Sequence, residues 1–380
     1  MGNLPTSDCC KCLHKKDQII LTDETSLNLD VQIAIKKIQS CVRGYIYRKN
    51  NNIMLKSCSF NKTIKIEMNK LPGELLDMNY EHSISNSKIK ELQKLLPMFA
   101  LTEKEKYMLK ISNLHKNVIR YRDGSVYKGY FNKDWLKEGY GILYMPDHSI
   151  YEGFFIRNLM EGRGRVLNSD GILYEGEFAN NKANGFGKYM SLDGLTYVGS
   201  WKDEKQHGQG EEVFPDGSRY EGEYFIGKKN GKGKFSWPNG VQYEGDLFNN
   251  DFHGSGVYRW KDGRIYQGQW QHNKMHGNGV FMWPDKKKYI GAYKNDNKHG
   301  FGCFIWPDGR IYEGFWEYGK QHGIGCYNHP LEGVVYGEWI KGIKVETFDP
   351  SSEKYENCKK TIYLKCDDIK DLLELHHRKN

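Results

Sequence analysis

Tyr197-Val198-Gly199-Ser200-Trp201-Lys202-Asp203-Glu204-Lys205-Gln206-His207-Gly208-Gln209-Gly210-Glu211-Glu212-Val213-Phe214-Pro215-Asp216-Gly217-Ser218-Arg219 is one pass of a pattern that starts again at Tyr220-Glu221-Gly222. The Tyr-x-Gly start recurs at Tyr127, Tyr151, Tyr174, Tyr197, Tyr220, Tyr243, Tyr266, Tyr289 and Tyr312. The spacing is 23 residues, except for 24 at the first step, and a degenerate tenth start stands at Tyr336 after another 24. A Gly-x-Gly follows within each unit, as in Gly162/Gly164, Gly208/Gly210 and Gly300/Gly302. An Asp-Gly or Asn-Gly usually comes next, as in Asp170-Gly171, Asp216-Gly217, Asn239-Gly240 and Asp308-Gly309. Self-similarity at a fixed period marks a repeat architecture, in which each unit buries its apolar face against its neighbours.

Within a unit, Tyr, Gly and an aromatic fall at i, i+2 and i+4, as in Tyr151/Gly153/Phe155, Tyr197/Gly199/Trp201 and Tyr312/Gly314/Trp316. A period of two places them on one face of a β-strand, with polar residues such as Glu175/Glu177 and Glu221/Glu223 on the other. The second strand repeats the logic with Gly279, Phe281 and Trp283, then Gly302, Phe304 and Trp306. Asp-Gly and Asn-Gly favour the positive-φ turns that join antiparallel strands. Each unit is therefore expected to be a β-hairpin, and the hairpins to stack sideways into one elongated antiparallel sheet. At ~4.8 Å per strand this gives ~9.5 Å per repeat and roughly 85 Å for the array. One face becomes a stripe of Tyr, Trp and Phe interrupted by glycines, whose missing side chains are expected to leave a groove. Trp201, Trp237, Trp260, Trp270, Trp283, Trp306 and Trp316 are its candidate lining, with Trp237, Trp260, Trp283 and Trp306 in register. Such a groove would take an extended peptide or a helix from a client protein. The alternative is that the rings pack on one another in place of a core.

The pattern resembles the MORN repeat over residues 120–342. Departures are mild: Asp147-His148 and Asp285-Lys286 replace Asp-Gly, and the ninth unit ends in Leu331-Glu332-Gly333. The resemblance implies a scaffold, since MORN proteins occupy cortical skeletons of protists, ciliary structures and membrane junctions. Some members carry a lipid kinase or methyltransferase domain. Here nothing outside the array is large enough, and no P-loop, kinase motif set, Gly-x-Ser-x-Gly elbow or zinc-protease helix occurs. No enzymatic activity and no cofactor are expected. Phospholipid binding by the repeats, also proposed for the family, is a further alternative.

Charge bears on that alternative. Residues 1–119 hold 19 Lys and Arg against 12 Asp and Glu, residues 120–342 hold 29 against 28, and residues 343–380 hold 8 against 8. A nearly neutral array gives no electrostatic support to lipid binding by the repeats, and none to nucleic-acid binding. No apolar stretch is long enough for a bilayer span and no signal-peptide core is present, so the nine cysteines are expected in a reducing cytosol, without a disulfide framework. His207, His253, His276, His299 and His322 form a row across the repeats. Equivalent residues ~9.5 Å apart cannot share one zinc ion, so no metal site is expected.

The arm preceding the array carries two further motifs. Met1-Gly2-Asn3-Leu4-Pro5-Thr6 fits an N-myristoylation signal on Gly2, with Cys9, Cys10 and Cys12 placed for palmitoylation. One myristoyl chain binds membranes only marginally, and a second anchor makes attachment stable. The alternative is an exposed tail with incidental cysteines. Ile38-Gln39, Arg43-Gly44 and Arg48 match the IQ motif, which in its family binds calmodulin or calmodulin-like light chains as a helix. The competing reading is a basic amphipathic helix lying on a membrane.

The expected organisation is an acylated arm (1–30), an IQ helix (31–50) and a linker with short helices (51–119). The array (120–342) and a tail with a short helix (343–380) follow. Ile89, Leu92, Leu95 and Leu96 predict one linker helix, and Thr102 with Glu105 a capping box that opens another; both are expected to cover the first sheet edge. Ile369, Leu372 and Leu373 predict a terminal helix that caps the last edge or pairs two copies. The functional expectation is a membrane-tethered scaffold on the cytosolic face of a membrane, in a cortical or ciliary cytoskeleton, with a calcium/calmodulin-responsive adaptor as the alternative.

Overall fold

The computed structural model describes residues 72–370. They form one antiparallel sheet of 22 strands that does not close, with three helices, as the hairpin pattern predicts. The chain divides into two compact units near residue 229. The first holds β1 (Gly73–Leu76), α1 (Ser87–Leu95), α2 (Glu103–Ile111), β2 (His115–Tyr121), β3 (Val126–Phe131), β4 (Lys137–Tyr144), β5 (Ile150–Ile156), β6 (Leu159–Leu167), β7 (Ile172–Ala179), β8 (Lys182–Ser191), β9 (Thr196–Lys202), β10 (Lys205–Val213) and β11 (Arg219–Phe225). The second holds β12 (Lys228–Ser236), β13 (Gln242–Phe248), β14 (Asp251–Arg259), β15 (Ile265–Gln271), β16 (Lys274–Met282), β17 (Lys288–Lys294), β18 (Asn297–Ile305), β19 (Ile311–Glu317), β20 (Lys320–His329), β21 (Gly333–Ile340), β22 (Ile343–Thr347) and α3 (Glu353–Asp368).

Two kinds of turn alternate. After the Gly-x-Gly strands up to β18 comes the loop that Asp-Gly predicts: the Gly217 N–H donates to the Phe214 carbonyl at 2.9 Å, the Phe214 N–H to the Ser218 carbonyl at 2.8 Å, and Gly217 sits at φ 84°. Where the glycine is replaced, His148 and Lys286 take the left-handed conformation themselves, at φ 68° and 69°. These two departures in sequence therefore leave the turn intact. The second kind is a tight two-residue turn after each Tyr-x-Gly strand from β5 onward, the first such strand, β3, being followed by the longer loop 132–136. Both its residues are left-handed, as at Asn180/Asn181 (φ 50° and 65°) and Asn249/Asn250 (φ 52° and 73°), which is the type I′ geometry that suits strand twist.

The tight turns also join successive repeats. The Asn273 N–H donates to the Phe252 carbonyl at 3.0 Å, while the Asn273 Oδ1 accepts from the Phe252 N–H at 2.6 Å. Asn181 holds Met160 in the same way (3.1 and 2.8 Å), as does Asp296 with Met275 (3.0 and 2.8 Å). One turn residue thus satisfies both backbone groups of a residue 21 positions earlier, its own N–H donating to the carbonyl and its side-chain oxygen accepting from the N–H.

The helices lie on the face opposite the tyrosines, not on the sheet edges. Asn86 caps α1 by accepting from the Lys88 and Ile89 N–H groups, and buried Ile89 and Leu92 pack on Ile150, Leu167 and Leu173 of β5–β7. α2 opens on the expected capping box of Thr102 and Glu105. The first edge is covered instead by β1, which pairs antiparallel with β2 from Gly73↔Tyr121 to Leu76↔Val118. Four residues inside an otherwise polar linker gave too short a pattern to recognise. α3 buries Cys358 and Ile362, with Ile369 beyond it, against Val280, Ile290, Phe301, Cys303 and Cys326. It lies nearer the array than the expected terminal helix and covers a face, with β22 the last strand; Leu372 and Leu373 lie outside the described residues.

Tyr336 departs most clearly from the repeat reading. Its strand pairs as Gly325↔Gly337 and Cys326↔Tyr336, so Val335, opposite Tyr327, occupies the tyrosine position. A one-residue offset sends a strand side chain to the other face. Tyr336 accordingly packs on Tyr355 of α3, with ring centroids 4.9 Å apart.

Candidate interaction face

The expected groove over the glycines is filled. Glycines of adjacent strands align across the sheet, as in Gly199↔Gly210↔Gly222 and Gly256↔Gly268↔Gly279. Each repeat tyrosine lies across such a pair. A Cβ on Gly268 would stand 2.5 Å from the Gly279 Cα and 2.6 Å from the Tyr266 hydroxyl. The Tyr266 hydroxyl donates to the Gln269 carbonyl at 2.9 Å, and Tyr151, Tyr197 and Tyr243 donate likewise to Phe154, Ser200 and Asp246 at 2.7–2.9 Å. The missing side chains thus make room for a ring from the same strand.

Those rings interlock with the next aromatic along. Tyr266 meets Trp270 edge-on at 5.1 Å and Tyr293 of the following repeat at 5.3 Å; Tyr289 meets Tyr293 at 5.2 Å and Trp316 at 5.3 Å. Edge-to-face pairs at this spacing are favourable beyond their burial. Trp201, Trp270 and Trp316 belong to this zipper. Each is buried, with its indole N–H donating at 3.2 Å to the carbonyls of Gly187, Gly256 and Gly302 respectively. These three candidate groove residues are engaged inside the array.

A second row of rings runs beside the Asp-Gly turns of the unit after residue 229. Phe235, Trp237, Tyr258, Trp260, Phe281, Trp283, Phe304, Trp306, Tyr327 and His329 follow one another with centroids 4.4–6.3 Å apart. Trp237, Trp283 and Trp306 are half-buried, whereas Trp260 is buried beneath the Arg264 guanidinium, 5.3 Å from its ring. Arg264, Lys287 and Arg310 take equivalent places in successive repeats, paired at 2.7 Å with Asp262, Asp285 and Asp308. Hydrogen bonds from Lys287 and Arg310 hold the carboxyls of Asp285 and Asp308 below the usual carboxylate range. The Lys298 ammonium sits 5.0–5.4 Å from the rings of Trp283, Tyr289, Phe304 and Trp316, a cation–π arrangement that braces this ladder from beneath. At the positions of the four tryptophans, the earlier repeats carry Met145, Asn168, Ser191 and Phe214. The basic positions were not singled out from sequence; their signal is the residue two after each turn aspartate.

Part of the histidine row has a local explanation. Nδ1 of His207 accepts from the Ile226 N–H at 3.4 Å and Nδ1 of His322 from the Lys341 N–H at 3.5 Å, both at tight-turn residues 19 positions on. Glu138 and Glu161 do the same for Arg157 and Asn180 in the first repeats. At His207, His322, Glu138 and Glu161 the position supplies an acceptor for a turn, whereas His253 and His276 bury Nδ1 without a hydrogen-bond partner; no group of His, Cys, Asp or Glu among the described residues is arranged to hold a metal ion. Cys303 and Cys326 of the sheet and Cys358 and Cys366 of α3 are free thiols gathered where the helix meets the sheet, and burial pushes Cys326 up to about 11 and Cys366 up to about 12. The acylation residues Gly2, Cys9, Cys10 and Cys12 and the IQ residues Ile38, Gln39, Arg43, Gly44 and Arg48 lie outside the described residues.

Comparison with known proteins identifies the repeats. The MORN repeat profile matches residues 151–172, 174–196, 197–219, 220–242, 243–263, 266–288, 289–309 and 312–330, so the chain carries eight MORN repeats. Residues 127–150 precede the first match and share its geometry, with Tyr127 donating to the Tyr130 carbonyl at 3.1 Å and meeting Phe131 edge-on. A search of curated proteins gives no match. Among solved structures, the TCP10 domain of Danio rerio CPAP, in complex with a peptide of Danio rerio STIL, is similar over 59% of this chain and 99% of that one, at 15% identity and a TM-score of 0.25. The SAS-4 (dCPAP) TCP domain, in complex with a proline-rich motif of Ana2 (dSTIL) of Drosophila melanogaster, is similar over 52% and 99%, at 16% identity and a TM-score of 0.26. Nothing about partners follows from likenesses of this degree.

Proposed function

We propose that the chain is a non-enzymatic adaptor that holds a protein client on its later MORN repeats and is tethered to a membrane by its N-terminal arm. MORN repeats support a repeat-based binding role. The observation that carries the reading is the tryptophan ladder. Trp237, Trp283 and Trp306 present half-buried indoles in one row, while the zipper beside them is closed. Aromatic anchors of this kind dominate interface energetics, with single truncations costing about 2 kcal/mol or more. Proximity labelling by the full-length chain in cells should therefore identify a client set that falls to background when all three are changed to Ala. An unchanged set would remove the ladder from the account.

Attachment rests on Gly2, Cys9, Cys10 and Cys12 and places the chain on the cytosolic face of a membrane, in a cortical or ciliary cytoskeleton. Gly2→Ala combined with Cys9→Ser and Cys10→Ser should release it into the cytosol. A second reading comes from the IQ residues: recruitment of calmodulin or a calmodulin-like light chain would make the adaptor calcium-responsive. Calmodulin should capture the full-length chain, and changing Ile38 and Gln39 to Ala should abolish capture.

A further inference from the structure

α2 packs on the sheet by a narrow seam. Glu105 accepts from Arg163 at 2.7 Å, and Leu109 approaches Gly139, where an added Cβ would stand 2.8 Å from its Cδ2. These two residues, four apart, define the inner side of the helix. The remaining apolar side chains turn outward: Tyr107 is 62% exposed, Ile111 57% and Met108 52%. α2 has no buried residue. The exposed apolar set continues into the connection from α1, with Leu95 62% and Met98 91% exposed, while Phe99 beside them is buried against Tyr140 and Arg163. α1 and α2 lie on the same face of the first unit, because Ile150, Leu167, Leu173 and Arg163 all project opposite the repeat tyrosines. Their outward sides therefore look the same way.

The charge around this patch is predominantly positive. Between Ser87 and Ile111 stand six lysines, Lys88, Lys90, Lys94, Lys104, Lys106 and Lys110, against three acids. Glu105 is engaged by Arg163 and Glu103 pairs with Lys106 at 2.8 Å. Lys104 and Lys110 flank Tyr107 and Ile111 on the outer side of the helix, where long stems can lie along apolar surface while their ammonium groups reach phosphate. Exposed apolar residues framed by lysines on a short helix form the pattern of an interfacial segment.

We propose that the outer side of α1 and α2 is a docking surface for an anionic membrane. Apolar residues would enter the headgroup boundary and each lysine near the surface would add electrostatic attraction to the anionic lipid. The 71 residues that precede the described part lead in sequence into β1 of this same unit. The proposal builds on the membrane-attached reading above but not on acylation, and the two fail separately.

The test uses the full-length chain made without acyltransferase, so that no lipid anchor is present. Co-sedimentation is measured with vesicles of phosphatidylcholine alone and with a third phosphatidylserine. Binding is expected on the anionic vesicles only, lost at high salt, and weakened about tenfold or more in a Met98→Ser/Tyr107→Ser/Ile111→Ser variant. All three side chains are exposed, so the variant should keep the parent's melting temperature. Lys104→Glu/Lys110→Glu gives an independent arm with the same expected loss. Equal binding of parent and variants, or no preference for anionic vesicles, overturns the proposal. So does self-association through the patch, seen as a parent dimer in sedimentation velocity that the serine variant abolishes. Release of the acylated protein from membranes by Gly2→Ala bears only on the tether.

Discussion

At the scale of single residues, glycine and tyrosine act together. Gly268 and Gly279 face each other because Tyr266 must lie across both, so Gly268→Ala places a methyl where the Gly279 Cα and the Tyr266 phenol already are. A cost of ~3 kcal/mol or more is expected, seen as a fall in the denaturation midpoint. At Lys286 the effect is reversed. It occupies a left-handed turn position that glycine takes in most repeats, and Lys286→Gly should raise stability by about 1 kcal/mol. Lys137 titrates unusually. Burial amid Tyr121, Tyr127 and Phe155, 5.0–5.6 Å from its ammonium, lowers its pKa from 10.5 to about 8. Between those values the unfolded chain holds a proton that the folded chain has lost, so this residue makes stability rise with pH from about 8 towards 10.5. Lys137→Met should remove that rise from urea midpoints measured across the range. The tyrosine stripe was legible in the sequence because period two assigns faces. What the glycines do was not, since a missing side chain shows where space is and not what fills it. Tyr336 was misplaced by one residue, which in a strand means the wrong face.

Among elements, the turns carry the most information. Asp-Gly or Asn-Gly announced one of the two turns in most repeats; the other is spread over Asn-Asn, Asp-Glu, His-Asn and Ile-Gly pairs that share no composition, and even β-branched Ile226 is held there at φ 50°. Its regularity appears only in register, where the second residue latches a partner 21 positions back. Asn273→Ala leaves the buried Phe252 N–H without its acceptor and places alanine in a left-handed turn. A loss of ~2 kcal/mol is expected, with faster amide exchange at Phe252 than at Phe235. The helices were legible by their caps and apolar spacing. Their place on a face was not, because that depends on Ile150, Leu167 and Val280, aliphatic residues at strand positions where other repeats carry polar ones.

For the molecule as a whole, stability in a repeat array is close to a sum over units and their neighbours. Chemistry need not be spread evenly, and here it is not. The ladder occupies the unit after residue 229, and the lysine-framed helical patch the unit before it. The sequence showed the tryptophans in register but gave seven candidates, and only cross-strand packing separates Trp201, Trp260, Trp270 and Trp316, which are buried, from Trp237, Trp283 and Trp306, which are half-buried. That separation is the central claim, because it locates the client face. Hydroxyl-radical footprinting of the free full-length protein tests it directly, residue by residue. The account predicts that Trp237, Trp283 and Trp306 are oxidised several-fold faster than the other four. Equal rates across all seven, or faster oxidation within the zipper set, would contradict it.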